Sequence, residues 1–205
     1  IIIDRKVDIE DSSYWVTYMG SDFMEEGRRA ARFMVKSGWK GNIVELQGTV
    51  GSAPAIDRKV GFEEVIKEHP ELRIIRSESG DFTRSRGKEV MEVFLKEEGG
   101  RIDILYAHND DMAIGAIQAI EEYGLKPGKD ILIVSVDAVR AAFEAMIEGK
   151  LNCTVECNPL LGRQFFDAVE AIVAGKADEL PKWTITEEEV FPMEIAKEVL
   201  PTRKY

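Results

Sequence analysis

Apolar positions in this chain follow two rhythms, short unbroken runs and three–four spacings, and they alternate most clearly between Ile102 and Asp137. The run Ile102–Ala107 is too short for a helix and rich enough in β-branched residues for a buried strand. It ends in His108-Asn109-Asp110-Asp111, polar residues of the kind that cap helices. Ala113, Ala116, Ile117 and Ile120 then mark one helical face. Gly124 stops that helix, Lys126-Pro127-Gly128-Lys129 makes a turn, and Ile131–Val136 is a second buried strand ending at Asp137. Such a β-α-β unit predicts parallel strands and a right-handed crossover. Asn109 and Asp137 fall just past the carboxyl ends of its strands, where open α/β sheets bind ligands.

The same alternation runs through most of the chain. Strands are predicted at Ile1–Ile3, Tyr14–Met19, Ile43–Leu46, Leu72–Ile75, Leu151–Val155 and Trp183–Thr186. Phe23, Gly27, Ala30, Ala31 and Met34 define a helix face ending near Gly38. The loop Gln47–Ser52 leads to a helix through Val65 and Ile66, and Val90, Met91, Phe94 and Leu95 face inward on another. Helices also cover Val139–Ile147 and the stretch from Asn158-Pro159 to about Ala174, while the tail Glu187–Tyr205 is less regular. The predicted class is α/β with a doubly wound parallel sheet. Alternation is unbroken from Asp22 to Glu156, so 22–156 is expected to close one complete lobe. The flanks, 1–21 and 157–205, are expected to be remnants of a second lobe and a tail.

Composition narrows the partners. The 205 residues are 44% hydrophobic and 32% charged, an ordinary globular balance with only strand-length apolar runs, so direct membrane insertion is not expected. A net charge of −11 repels phosphate backbones, which argues against nucleic acid. Ile1-Ile2-Ile3-Asp4-Arg5 reads as an interior strand, so the chain is expected to have been cut from something longer. Cys153 and Cys157, if extended, stand about 13 Å apart, too far to join each other in a disulfide, and are expected to be buried structural thiols. With Glu156 they offer too few ligands for zinc, so no metal is expected.

Several motifs together carry a resemblance. Val44-Glu45-Leu46-Gln47-Gly48, Ala55-Ile56-Asp57-Arg58-Lys59 with Gly61-Phe62, Gly80-Asp81-Phe82-Thr83-Arg84, and Tyr106-Ala107-His108-Asn109-Asp110-Asp111-Met112-Ala113 occur in this order. In them the chain resembles, essentially end to end, the periplasmic sugar-binding proteins of ABC importers, the ribose/galactose-binding (type I) superfamily, and within it the galactofuranose-binding branch. The resemblance implies that the first half of the amino-terminal lobe is absent here. The chain departs from many relatives at Ala138, where they carry Gly after the aspartate.

A sugar presents hydroxyls that donate and accept on a ring with apolar faces, so its site needs multidentate polar side chains and aromatic walls. Charged arms give strong, directed bonds. Asp4, Arg5, Arg58, Phe82, Asn109 and Asp137 lie at or just after strand ends, and the resemblance implies that these six contact ligand. Each has a plainer alternative. Asn109 or Asp110 could simply cap a helix, Asp137 shares that ambiguity, Phe82 could be core, and Asp4 with Arg5 could be a surface ion pair. Arg58 falls near a predicted helix start, where a base opposes the dipole, which favours a functional role. Glu156 or Cys157 occupies a hinge position where relatives use a polar contact residue. His108 reads as a packed strand-end histidine rather than a catalyst.

The expected function is therefore capture of a neutral monosaccharide, a galactofuranose-like hexose or a pentose, between two lobes and delivery to the membrane permease of an ABC importer. This implies a periplasmic or extracytoplasmic protein, no cofactor and no catalysis, with self-association possible for a partial lobe. Two alternatives stand beside it. One is the sugar-effector domain of a LacI-type transcription regulator. The other is a phosphosugar-using enzyme built on Gly48-Thr49-Val50-Gly51-Ser52, although that loop lacks the lysine of a P-loop and the spacing of a dinucleotide fingerprint.

Overall fold

Capping and turn residues set where each element begins and ends in the structure, a computed structural model that describes residues 1–7, 9 and 11–205. In chain order the elements are β1 (Ile2–Ile3), β2 (Tyr18–Gly20), α1 (Phe23–Lys36), β3 (Gly41–Gln47), α2 (Ala53–Ile66), β4 (Leu72–Ser79) and α3 (Arg84–Glu98). There follow β5 (Ile104–Ala107), α4 (Asp110–Glu122), β6 (Leu132–Asp137), α5 (Arg140–Ile147), β7 (Cys153–Glu156), α6 (Gly162–Val173), β8 (Trp183–Ile185), β9 (Val190–Pro192) and α7 (Ala196–Val199). Thr83 caps α3 by accepting from the Arg86 amide, and Asn109 caps α4 by accepting from that of Met112. The chain divides into two units, Phe23–Glu156 with Glu189–Tyr205, and Ile1–Asp22 with Cys157–Glu188.

The larger unit is a six-stranded sheet in the order β4-β3-β5-β6-β7-β9, parallel except for β9, which runs antiparallel to β7. The alternation of side chains sends Val44, Leu46, Leu105, Ala107 and Ile133 into one core with α3, α4 and α5. Their neighbour Tyr106 points the other way and stacks on Phe62 of α2, ring centroids 4.0 Å apart. Helices on both faces explain why β5 and most of β6 are apolar runs. On the Tyr106 side α1 and α2 pack backbone to backbone. A Cβ on Gly27 would lie 2.1 Å from the Arg58 carbonyl oxygen, and one on Gly61 would lie 1.9 Å from that of Met24. That crossing needs both glycines.

One boundary differs from expectation. The tail, placed with the second lobe as part of 157–205, returns instead to the larger unit from Glu189 onward. The reason is pairing: β9 bonds to β7, and Phe191 and Ala196 enter the core beside Phe143. The smaller unit is a parallel sheet in the order β1-β2-β8, joined by α6. The strand expected at Tyr14–Met19 is shorter and later. Asp11 caps a 3-10 turn at Ser12–Tyr14, and pairing starts at Tyr18. Among the described residues no helix is long and apolar enough to cross a membrane.

Candidate functional site

Four of the six expected ligand residues meet at the carboxyl ends of the strands in the larger unit. Arg58 is buried, in the second turn of α2 rather than at its start. The dipole argument applied to it therefore does not hold, because that field fades within the first turn. What holds the guanidinium is Glu26 of α1, wholly buried, whose Oε2 accepts from Nε at 2.6 Å. Nη1 donates to the His108 carbonyl at 2.6 Å, and Nη2 reaches Asp137 Oδ1 at 3.4 Å. The guanidinium carbon lies 5.5 Å from the ring centre of Phe23 and 5.9 Å from that of Phe82. A fixed cation between aromatic faces, with one edge toward a half-exposed carboxylate, is suited to gripping hydroxyls.

Phe82 is half-buried, and its ring fills the space above Gly48, where a Cβ would sit 1.9 Å from Cζ. This brings the Gln47–Ser52 loop against the site through backbone. Asn109 serves two partners at once: its Oδ1 caps α4, and its Nδ2 donates to the Phe82 carbonyl at 3.1 Å. The capping reading of Asn109 thus describes a real contact, and the same amide also fixes the Phe82 turn.

Backbone strain clusters at the same places. Among the described residues the non-glycine positions with positive φ are Asp4 (67°), Asp81 (53°), Phe82 (56°), Asp137 (121°) and Ala138 (60°). Each is an expected ligand residue or the chain neighbour of one. Left-handed backbone is costly for residues bearing a Cβ, and it persists where surrounding structure over-determines it, commonly at ligand clamps.

Asp4 and Arg5 lie in the smaller unit, both exposed, 3.8 Å apart as an ion pair. The Asp4 backbone is held by its amide donating to the Met19 carbonyl at 2.9 Å and by the Tyr18 hydroxyl donating to its carbonyl at 2.8 Å. Asp4 lines a cavity of about 330 Å³ with Ser21, Cys157, Asn158 and Phe165. Of the two hinge candidates, Cys157 faces this cavity, half-buried rather than buried as expected, because β7 ends before it. Glu156 is turned to structural partners: Oε1 accepts from Arg203 at 2.8 Å and from the Tyr205 hydroxyl at 2.6 Å, and Oε2 from the Glu189 amide. The two cysteines are not joined in a disulfide.

Buried charge surrounds the site. Asp110 is fully buried, accepting from Ser135, Thr154 Oγ1 at 2.8 Å and the Val139 amide at 2.9 Å. Burial, reinforced by the charge of Asp137, pushes its carboxyl up to about 7 against those hydrogen bonds. His108 is a packed histidine. Its Nδ1 accepts from the Gly48 amide and its Nε2 meets Glu45 at 3.1 Å, while burial lowers its pKa below the usual histidine range. Burial opposes ionisation of Glu45, but bonds from His108, Lys59 and Ser77 outweigh it and hold the carboxyl at about 2. Sequence reading missed Glu26 and the Arg203–Tyr205 tail. Glu26 did leave a signal, being a carboxylate on the apolar stripe between Phe23 and Ala30.

The galactofuranose-binding protein YtfQ of Escherichia coli is 49% identical over 99% of this chain, and the ribose import binding protein RbsB of Bacillus subtilis 35% over 78%. The chain spans 65% and 51% of their respective lengths. A crystal structure of a galactofuranose-binding protein superposes with a TM-score of 0.93 at 49% identity, covering 98% of this chain and 69% of that one. The periplasmic binding protein component of the arabinose ABC transporter of a Shewanella species, bound to α- and β-L-arabinofuranose, gives 0.95 at 48%, covering 99% and 68%. The profile of the periplasmic binding protein domain matches residues 1–177, and the chain belongs to that family.

Proposed function

We propose that this chain is the greater part of an extracytoplasmic solute-binding protein that captures a neutral monosaccharide in its furanose form and presents it to the permease of an ABC importer. The observation that carries the reading is the coincidence of strain and chemistry: every left-handed non-glycine residue described is an expected sugar contact or its neighbour. Arg58 and Asp137 act as donor and acceptor arms on adjacent ring hydroxyls, and Phe82 offers an apolar face. Asp4 and Arg5 supply further arms from the smaller unit. Relatives named for galactofuranose and arabinofuranose support a five-membered ring. Closure around the sugar is a population shift toward the state in which all arms engage.

Calorimetry of the full gene product against a panel of pentoses and hexoses tests this. Arg58→Ala or Asp137→Ala should each weaken binding by about 2–4 kcal/mol. Binding of both variants within threefold of the wild type would remove these residues from the site. A larger thermal shift with ATP or a sugar phosphate than with free sugars would favour the enzyme alternative. Self-association belongs to the same proposal. β1 and β8 are sheet edges carrying exposed Ile3, Trp183 and Ile185, and such edges pair with further strands. Light scattering of the 205-residue chain should show species larger than a monomer.

A further inference from the structure

The sugar-binding reading of Asp137 raises the question of what holds that residue in a backbone conformation its side chain disfavours. Asp137 and Ala138 are consecutive left-handed residues, so the turn after β6 does not keep its shape by local preference. Three hydrogen bonds fix it. The Ala138 amide donates to Thr154 Oγ1 at 3.1 Å, and the Val139 amide to Asp110 Oδ2 at 2.9 Å. The third comes from the far end of the chain, where Arg203 Nη2 donates to the Ala138 carbonyl at 3.0 Å.

The Ala138 carbonyl and the Val139 amide belong to one peptide group. Asp110 and Arg203 therefore pin the two edges of the same plane, and the plane's orientation sets the backbone on which the Asp137 carboxylate is carried. Arg203 is itself rigid. Its Nη1 donates to Glu156 Oε1 at 2.8 Å, and its guanidinium carbon lies 4.4, 5.1 and 5.4 Å from the ring centres of Tyr205, Phe191 and Phe143. Glu156 is the cross-strand partner of Asp137. Tyr205 donates its hydroxyl to Glu156 and accepts the Arg140 amide at its carbonyl.

We propose that Arg203 is a positioning residue for sugar binding, holding the Asp137 arm through the carbonyl of Ala138. The inference rests on Asp137 being a ligand arm, and a double-mutant cycle separates positioning from bulk stability. The wild type, Arg203→Ala, Arg203→Lys, Asp137→Asn and the Arg203→Ala/Asp137→Asn pair are titrated with L-arabinose and D-galactose, whose solutions contain furanose forms. Titration is done at a temperature where circular dichroism shows every variant folded. Arg203→Ala should weaken binding about tenfold alone and less than twofold beside Asp137→Asn. Arg203→Lys should recover part of the loss, because an ammonium can still donate to the Ala138 carbonyl. Amide exchange gives a reading independent of sugar: the Val139 amide should exchange faster in Arg203→Ala while Val134 and Val136 of β6 do not change. Equal losses in both backgrounds, or unchanged Val139 exchange, would overturn the proposal. Faster Val139 exchange in a protein whose wild type binds neither sugar would instead overturn the sugar-binding reading, and the proposal with it.

Discussion

Replacing Arg58 by methionine is the sharpest test of how this site is built. The side chain is 3% exposed and its partner Glu26 is wholly buried, so little solvent screening reduces their interaction. Methionine follows the arginine side chain only as far as Nε, so a smaller packing cost at the vacated space between Phe23 and Phe82 accompanies the electrostatic one. The larger change is in charge: Glu26 loses the guanidinium at 2.6 Å, and the His108 carbonyl loses a donor at 2.6 Å. Breaking a buried pair from one side costs about 3–5 kcal/mol, because the remaining carboxylate is desolvated without its counter-charge. The contact to Asp137 adds little, being longer at 3.4 Å and nearer solvent. Urea unfolding followed by Trp39 emission, with Trp15 and Trp183 changed to phenylalanine, reports on the larger unit. Arg58→Met should lose stability in that range, and Glu26→Gln added to it should restore at least half. A single variant within 1 kcal/mol of the wild type, or a double variant no better than the single one, would show that the pair does not organise the site.

Asp110 sets a pH slope. Its carboxyl is raised from 3.8 to about 7, so between those values the folded chain holds a proton that the unfolded chain has released. Stability therefore falls as pH rises from about 4 to 7, by at most about 1.4 kcal/mol per unit from this group, and levels off above. Asp110→Asn should abolish that slope in urea titrations at pH 5, 6, 7 and 8, and an unchanged slope would assign it elsewhere. Gly48→Ala should drive Phe82 from its seat, costing about 1–3 kcal/mol of stability together with a measurable loss of sugar affinity. Retained affinity in that variant would show that the Phe82 ring is not a wall of the site. Gly61→Ala should separate α1 from α2 and lower the melting temperature, since the added methyl meets the rigid Met24 carbonyl.

The β5-α4-β6 unit was legible because local chemistry marks both its ends: an apolar run, an Asn109 cap and a Gly124 stop. Phe82, Asn109 and Asp137 were legible as strand-end or loop residues for the same reason, whereas Arg58 lies inside α2 and stood out only through the motif Ala55-Ile56-Asp57-Arg58-Lys59; the structure brings the four together. β9 was not legible. Val190-Phe191-Pro192 is short, and its antiparallel pairing with β7 joins segments far apart in sequence, which no local period encodes. Arg203 was hidden likewise, since its three aromatic neighbours come from α5, β9 and the tail itself. Asp4 and Arg5 lie in a separate unit, and their part in binding rests on the chemistry proposed above.

The smaller unit carries a consequence for synthesis. β2 bonds to β8, so its sheet joins segments from near opposite ends of the chain. Closing so long a loop before anything lies between its ends is entropically unfavourable and gains only a few strand contacts. The segment Phe23–Glu156 has its strands linked by successive crossovers, so it condenses early and turns a flexible loop into a folded spacer. On a ribosome, β1 and β2 emerge before Phe23–Glu156 and must wait while nearly all of that segment is made before β8 exists. Throughout that interval β2 lacks β8 as its hydrogen-bonding partner, and it is then that holdase chaperones have most to protect.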